Sequence, residues 1–235
     1  MKRLVALFDW DQTVRKSFAF TTWSNLLVEK GFISKKFLEE NEVEINKHKN
    51  GIYNSDELVH NSMSLFCSYL KNVKVNDSFS FLDECKNIDE KLIFPIMKNH
   101  IFPFLREHNI EIIVISGSPF ETIEVFKEAM GISEIFALSF DNDGSIFNGN
   151  ITFNSGLSKS KEKVVNQICS FDKEVIFAFG DSLSDVPLLR SAKCSFVNNS
   201  KKFIDEENVH YFDFDDDENS KIIINKMQET LNNIN

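Results

Sequence analysis

Four short apolar runs along the chain each end in small, polar or acidic residues. Leu4-Val5-Ala6-Leu7-Phe8 runs into Asp9, Ile110 to Ile115 into Ser116-Gly117, and Val175 to Phe179 into Gly180-Asp181; a weaker run, Cys194-Ser195-Phe196-Val197, ends at Asn198. Continuous apolar runs of this length predict strands buried on both faces, as in a parallel sheet covered by helices. Helical patterns follow the second and third runs, at Phe120–Met130 and Ser184–Ala192. The alternation predicts an α/β fold with a doubly wound, Rossmann-like parallel sheet. Ligands bind such sheets outside the carboxyl ends of the strands, so the Asp9, Ser116-Gly117 and Gly180-Asp181 termini are expected to converge on one edge.

Between Phe18 and about Leu92 the pattern changes. Thr22–Lys30, Ser34–Lys47 and Ser55–Lys71 are amphipathic at helical spacing, with Gly31 and Gly51 as breaks and no strand-like run among them. The expected organisation is a core domain of residues 1–16 and 93–235, with residues 17–92 inserted after the first strand as a small helical cap domain. A lid of this kind suits a reaction that must exclude water. Ile135–Phe140 and Asn150–Phe153 flank Asp143-Gly144, a hairpin signal. A last helix around Lys221–Leu231 places Ile223, Met227 and Leu231 on one face. Asp213-Phe214-Asp215-Asp216-Asp217-Glu218 reads as a solvated acidic loop or helix start rather than a second metal site.

Length and composition bound the function. With 235 residues, 42% hydrophobic and 26% charged, the chain suits one globular domain or a core with an insertion. The 24 phenylalanines suggest a core filled by aromatic bulk. A net charge of −10 argues against nucleic acid as a partner, because phosphate backbones need a basic surface. A small phosphorylated substrate stays compatible where a bound divalent cation supplies local positive charge. Cys67, Cys85, Cys169 and Cys194 form no Cys-x-x-Cys pair, so neither zinc nor a disulfide framework is indicated. The first apolar run is too short for a signal-peptide core or a membrane span. A cytoplasmic protein without a membrane partner is expected; the oligomeric state is open.

The chemistry-bearing residues sit at the predicted strand tips. In Phe8-Asp9-Trp10-Asp11-Gln12-Thr13, two carboxylates one residue apart repel each other unless a cation neutralises them or one stays protonated. One carboxylate of such a pair can attack phosphorus. The other can protonate the leaving alcohol and later deprotonate water. A polar turn after an edge strand is the plainer alternative. In Ser116-Gly117-Ser118-Pro119, Ser116 offers a hydroxyl and Gly117 lets a backbone N–H approach phosphate, although a simple strand-to-helix turn would read the same. Lys159-Ser160-Lys161-Glu162-Lys163 opens a helix where acids are normally preferred; one lysine could neutralise phosphoryl charge while the others stay solvated. Gly180-Asp181-Ser182-Leu183-Ser184-Asp185 places two acids four apart, a set suited to Mg²⁺, with Asp185 as a helix-start acid in the alternative reading.

These motifs, in this order, resemble the haloacid dehalogenase-type phosphatases, and within them the phosphoserine phosphatase-like branch. Asp143-Gly144, Asn148-Gly149 and Asp185-Val186-Pro187-Leu188-Leu189 are also family-like, so the resemblance spans Leu4 to about Val197. It implies Asp9 as nucleophile and Asp11 as general acid/base. It implies Mg²⁺ bound by Asp9, the backbone carbonyl of Asp11 and Asp181, with Asp185 supporting the outer shell of the metal or orienting the lysine. Thr13, Ser116 and Gly117 would hold the phosphoryl oxygens. Lys161 is preferred to Lys159 as the motif lysine, because Val164 and Val165 then follow where the family puts its helix core. The chain departs from the family at Phe18, where phosphoserine phosphatases carry a glutamate that recognises the amino group of the substrate. Phosphoserine specificity is therefore not carried over. Trp10 and Gln12 also differ from the usual aliphatic or Phe and Gly, without removing a catalytic group.

The expected activity is hydrolysis of a small phosphomonoester. A phosphotransferase or mutase using the same aspartyl phosphate is the nearest rival; a signalling receiver, about half this length, and a silent binding protein are remoter ones. Phe18, Phe20 and Trp23 form a candidate aromatic cluster for the leaving group, with packing inside the helical segment as the alternative.

Overall fold

The first apolar run becomes the central strand. In the computed structural model, which describes residues 2–234, β1 is Arg3–Phe8. Its side chains alternate between two separate apolar cores, Ala6 and Phe8 in one, Val5 and Leu7 in the other, and all four are fully buried. A strand covered on both faces has no polar alternation, which is why the run reads as continuously apolar. β2 (Glu111–Pro119) and β5 (Lys173–Gly180) pair parallel with β1 on either side. β3 (Ile132–Asn142) continues the sheet beyond β2, and β6 (Cys194–Asn198) beyond β5, again in parallel. β4 (Phe147–Phe153) closes the expected hairpin antiparallel to β3. β7 (Val209–Phe212), a four-residue parallel edge strand that the apolar pattern does not announce, pairs with β6. The order is β4-β3-β2-β1-β5-β6-β7. The chain thus winds outward in both directions from β1, and the crevice at the carboxyl ends of β1, β2 and β5 is the topological switch point.

Helices cover both faces. α6 (Phe102–Glu107), preceded by a π-helical turn at Met97–Ile101, packs on the Ala6/Phe8 face together with α11 (Asn219–Asn232). Ile223, Met227 and Leu231 are buried there as the spacing predicts. α9 (Ser158–Ser170) and α10 (Val186–Ser191) cover the other face through Val164, Val165, Ile168, Leu188 and Leu189. The helix expected over Phe120–Met130 is broken into α7 (Phe120–Glu124) and α8 (Lys127–Met130), because Phe126 turns inward to pack against Trp10. The helix expected from Ser184 starts as a 3₁₀ turn at Leu183–Asp185, with Ser182 and Asp185 forming a capping box.

Residues between β1 and β2 form α1 (Ala19–Glu29), α2 (Lys36–Lys49), α3 (Ser55–Leu70), α4 (Val75–Phe79) and α5 (Leu82–Asp89). Their apolar faces build a third core around Trp23, Leu27, Phe37, Phe66 and Leu70. Leu138, Phe140 and Phe147 of the β3–β4 hairpin belong to the same core. Backbone bonds reinforce the join: Asn72 N–H to Phe147 C=O at 2.9 Å, Phe147 N–H to Val73 C=O at 3.0 Å, and Val75 N–H to Ser145 C=O at 2.9 Å. Among the described residues no helix is long and apolar enough to cross a membrane.

Candidate active site

Asp9 leaves β1 directly, and its N–H donates to Phe179 C=O at 3.0 Å, so the parallel pairing holds it at the strand tip. Lys161, from the first turn of α9, reaches across with Nζ 2.8 Å from Asp9 Oδ1 and 2.5 Å from Asp185 Oδ1. Lys161 is 2% exposed, whereas Lys159 and Lys163 face solvent. One of the three lysines thus turns inward, and it is the one that shares the turn-and-core register of Val164 and Val165. The second oxygen of Asp185 accepts from Asp181 N–H at 3.0 Å, Ser182 N–H at 2.9 Å and Ser182 Oγ at 3.0 Å. Both Asp185 oxygens are therefore engaged by protein donors, and its carboxylate fixes the lysine. The fit requires a glycine before Asp181. A Cβ on Gly180 would lie 2.6 Å from Asp185 Cβ and 2.9 Å from its Cγ.

Asp11 faces this group from the turn after β1. Its Oδ2 accepts a short hydrogen bond from Ser118 Oγ at the end of β2. Its Oδ1 accepts from Ala19 N–H at 2.9 Å, at the start of α1, and lies 3.5 Å from Arg15 Nη1. Thr13 is fully buried, with Oγ1 3.4 Å from Asp181 Oδ1. Ser116 is buried, its carbonyl accepting from Ser155 Oγ at 2.6 Å. Gly117 lies against Gly156, whose Cα would be 2.9 Å from a Cβ at position 117. Hydrogen bonds thus join Asp9, Lys161, Asp185, Asp181 and Thr13, while Asp11 lies on the turn after β1 and Ser116 and Gly117 lie near the end of the neighbouring β2.

The three aromatic residues expected to form one cluster are divided between core and surface. Trp23 is fully buried, its indole N–H donates to Ser78 C=O at 3.1 Å, and its ring packs on Phe66 and Phe79. Phe20 meets Phe37 and Phe66 edge-on. Positions three apart share a helix face, so both side chains point into the core of the helical segment. Phe18 precedes α1 in extended backbone and is 53% exposed. The cluster of Phe18, Phe20 and Trp23 therefore does not form, and Trp23 is a packing residue.

Most further groups at the site belong to none of the sequence motifs. Arg15 is fully buried, its Nη2 2.7 Å from Asp89 Oδ1 and 3.3 Å from Thr22 Oγ1. Its spacing of four from Asp11 was the available signal. Asn198 Nδ2 donates to Gln12 C=O at 2.6 Å and Asn199 Nδ2 to Asp181 C=O at 2.9 Å, bracing the turns after β1 and β5. Ser118 supplies the hydroxyl that holds Asp11.

The electrostatics favour a cation. Burial, opposed by Lys161 and assisted by Asp185, pushes the Asp9 carboxyl up to about 7. Burial and then the Asp9 and Asp185 charges push Asp181 up to about 9. Burial also raises Asp11, against the Ser118, Arg15 and Ala19 contacts that favour its charge. Burial pulls Lys161 down, but Asp185 and Asp9 together outweigh it and hold the ammonium above its ordinary range. Asp9, Asp181 and Asp185 offer carboxylate oxygens within 4.8 Å of one another. Three carboxylates against one ammonium leave two formal negative charges, and oxygen-only donors of this kind suit a hard divalent ion. With both Asp185 oxygens committed to protein donors, Asp9 and Asp181, each with one oxygen so engaged, are the carboxylates left to take it.

A sequence model of the haloacid dehalogenase-like hydrolases matches residues 6–190, a span that runs from before Asp9 to beyond Asp185. No curated protein sequence matches the chain. Among solved structures, a protein of unknown function from Bordetella pertussis Tohama I superposes with a TM-score of 0.68 at 15% identity, covering 84% of this chain and 90% of that one. A phosphoserine phosphohydrolase-like protein from Francisella tularensis gives 0.58 at 22% identity over 84% and 87%. A phosphoserine phosphatase from T. onnurineus gives 0.56 at 19% identity over 97% and 94%. At such identities the structures establish a shared fold, while the sequence model establishes membership. The chain belongs to the haloacid dehalogenase-like hydrolases.

Proposed function

We propose that the protein is a Mg²⁺-dependent phosphatase of small phosphomonoesters that works through a phosphorylated Asp9. The observation that carries this reading is the buried pairing of Asp9 with Lys161, opposite an independently held Asp11. An Asp9 oxygen attacks phosphorus while the bond from phosphorus to the ester oxygen breaks, and Asp11 gives its proton to the departing alcohol. Asp11 then takes a proton from the water that attacks the acyl phosphate, which frees inorganic phosphate and restores Asp9. Asp9 and Asp181, with the backbone carbonyl of Asp11, would hold Mg²⁺, whose charge offsets that of the phosphoryl group. Lys161 neutralises charge on the same side, and Asp185 keeps its ammonium aimed. Thr13, Ser116 and Gly117 hold the phosphoryl oxygens. Residues 17–92 act as a cap that excludes water, over a core of residues 1–16 and 93–235. The shared fold with phosphoserine phosphatases supports a phosphomonoester substrate, while Phe18 separates this chain from their amino-group recognition.

The test is phosphate release across a panel of phosphorylated metabolites, with Mg²⁺ and with EDTA. Release that requires Mg²⁺ and is lost in Asp9→Asn is expected. A panel without turnover, or an active Asp9→Asn variant, refutes the reading.

A further inference from the structure

Arg15 has no part in the chemistry described so far, yet it is one of the largest fully buried side chains of the protein. Its Nη2 is held by Asp89, the last residue of α5, and by Thr22 of α1. Asp89 Oδ1 also accepts from Thr22 Oγ1 at 2.8 Å, so the three groups close a ring. On the opposite side, Arg15 Nη1 and Nε make no hydrogen bond to the protein, and Nη1 lies 3.5 Å from Asp11 Oδ1. A buried guanidinium leaving donors unpaired is a poor choice for stability alone, since a well-packed apolar side chain of similar volume serves as well or better. Its planar fork, however, fixes the direction of one nitrogen when the other is clamped. Here the clamped nitrogen faces the helical segment, and the other, without a hydrogen bond, lies in ion-pair range of the Asp11 carboxyl.

The backbone around Arg15 supports the same geometry. Arg15 N–H donates to Trp10 C=O at 3.1 Å, closing the turn that carries Asp11. Lys16 N–H donates to Leu92 C=O at 2.8 Å and Phe94 N–H to Val14 C=O at 3.0 Å, pairing the two linkers of the helical segment on either side of Arg15. Asp11 therefore takes its contacts from Ser118 at the tip of β2, from Ala19 at the start of α1, and from Arg15 tied to the end of α5.

We propose that Arg15 is a positioning residue that orients the Asp11 carboxyl for proton delivery to the leaving group and ties that orientation to the helical segment through Asp89. The inference rests on the phosphatase reading above. In the first step the Asp9–phosphorus bond forms, the phosphorus–ester oxygen bond breaks, and the proton passes from Asp11 to the ester oxygen. An aliphatic alkoxide needs that proton, whereas p-nitrophenolate departs without it. The effect of Arg15 must therefore depend on the leaving group.

The experiment is single-turnover release of the leaving group by the full chain with Mg²⁺. It compares the best aliphatic substrate of the panel with p-nitrophenyl phosphate, in wild type, Arg15→Met, Arg15→Lys and Asp89→Asn. Arg15→Met is expected to slow aliphatic release by about 10- to 100-fold, part of what a general acid supplies, and p-nitrophenol release by less than about threefold. Asp89→Asn should show a smaller loss with the same bias, and Arg15→Lys, which keeps the charge without the fork, a loss between wild type and Arg15→Met. Equal losses on both substrates, or none, overturn the proposal. Should Arg15→Met fail to fold, the ratio in Arg15→Lys and Asp89→Asn decides in the same way. A wild type that releases no phosphate, or an active Asp9→Asn, marks failure of the phosphatase reading itself and not of the Arg15 assignment.

Discussion

Neutralising one of the site carboxylates should stabilise the metal-free protein while destroying its function. Asp181→Asn is the sharpest case, since it is nearly isosteric and keeps an oxygen for the Thr13 hydroxyl 3.4 Å away. The move of the Asp9 carboxyl from 3.8 to about 7 corresponds to about 4 kcal/mol disfavouring its charged form. Asp181, at about 9, feels burial and then Asp9 and Asp185. Part of this strain is repulsion shared between groups, so deleting one charge should return about 1–3 kcal/mol. Both carboxyls are raised in the folded state, so the folded protein holds their protons longer than the unfolded chain does. Stability without metal is therefore fully present below pH 3.8 and declines as pH rises through about 7 and about 9. In Asp181→Asn the decline should be shallower and end near pH 7. Mg²⁺ reverses the order. At a hundredfold excess over its dissociation constant, binding to the folded state adds about 2.7 kcal/mol to wild type, and the variant gains little. The assay is urea unfolding between pH 5 and 9, in EDTA and in Mg²⁺. A variant less stable than wild type in EDTA at pH 8, or a wild-type midpoint unmoved by Mg²⁺, would refute the reasoning.

Three further substitutions probe separate parts of the site. Lys161→Met leaves Asp9 and Asp185 buried without their shared cation. It should cost about 3–5 kcal/mol in urea unfolding and reduce phosphate release to about 1% of wild type or less; wild-type stability would mean the pairing is not formed in solution. Gly180→Ala forces a methyl to within 2.6 Å of Asp185 Cβ. It should cost about 1–3 kcal/mol and lower kcat by displacing the carboxylate that aims Lys161, and unchanged kcat would show that Asp185 tolerates the shift. Trp23→Phe loses the bond to Ser78 C=O and should cost about 1 kcal/mol with KM unaltered, whereas a large rise in KM would return Trp23 to the substrate site.

Much of the candidate site was legible because its acids directly follow the apolar runs that become strands. Asp9 and Asp181 each follow an apolar run that is buried on both faces, so the period of the run and the position of the acid come from the same short stretch. Lys161 was readable through the helix it opens, since Val164, Val165 and Ile168 fix which face turns inward. β7 was not legible, because four edge residues, one buried and three half-buried, carry neither a continuous run nor a clean alternation. The break between α7 and α8 escaped for a different reason. Phe126 fits helical periodicity, but it packs on Trp10, a residue 116 positions earlier whose ring no local window contains.

The parts that determine access and orientation arise from pairings that no single stretch encodes. Asp89 closes on Arg15 across 74 residues, and Ser118 on Asp11 across 107. The hairpin shows the consequence at larger scale. Its Asp143-Gly144 turn and position in the chain place it with the core in the sequence reading. Yet Leu138, Phe140 and Phe147 fill the same apolar cluster as Trp23, Phe37 and Phe66, and three backbone bonds join it to the segment after α3. The helical segment thus touches the sheet through two kinds of contact, a polar one at Arg15 and Asp11 and an apolar one at the hairpin. The apolar contact fixes where the segment sits. The polar contact then makes the direction of the Asp11 carboxyl depend on that seat, because its Ala19 contact and the Asp89 and Thr22 clamp on Arg15 come from the segment, while Ser118 belongs to the sheet.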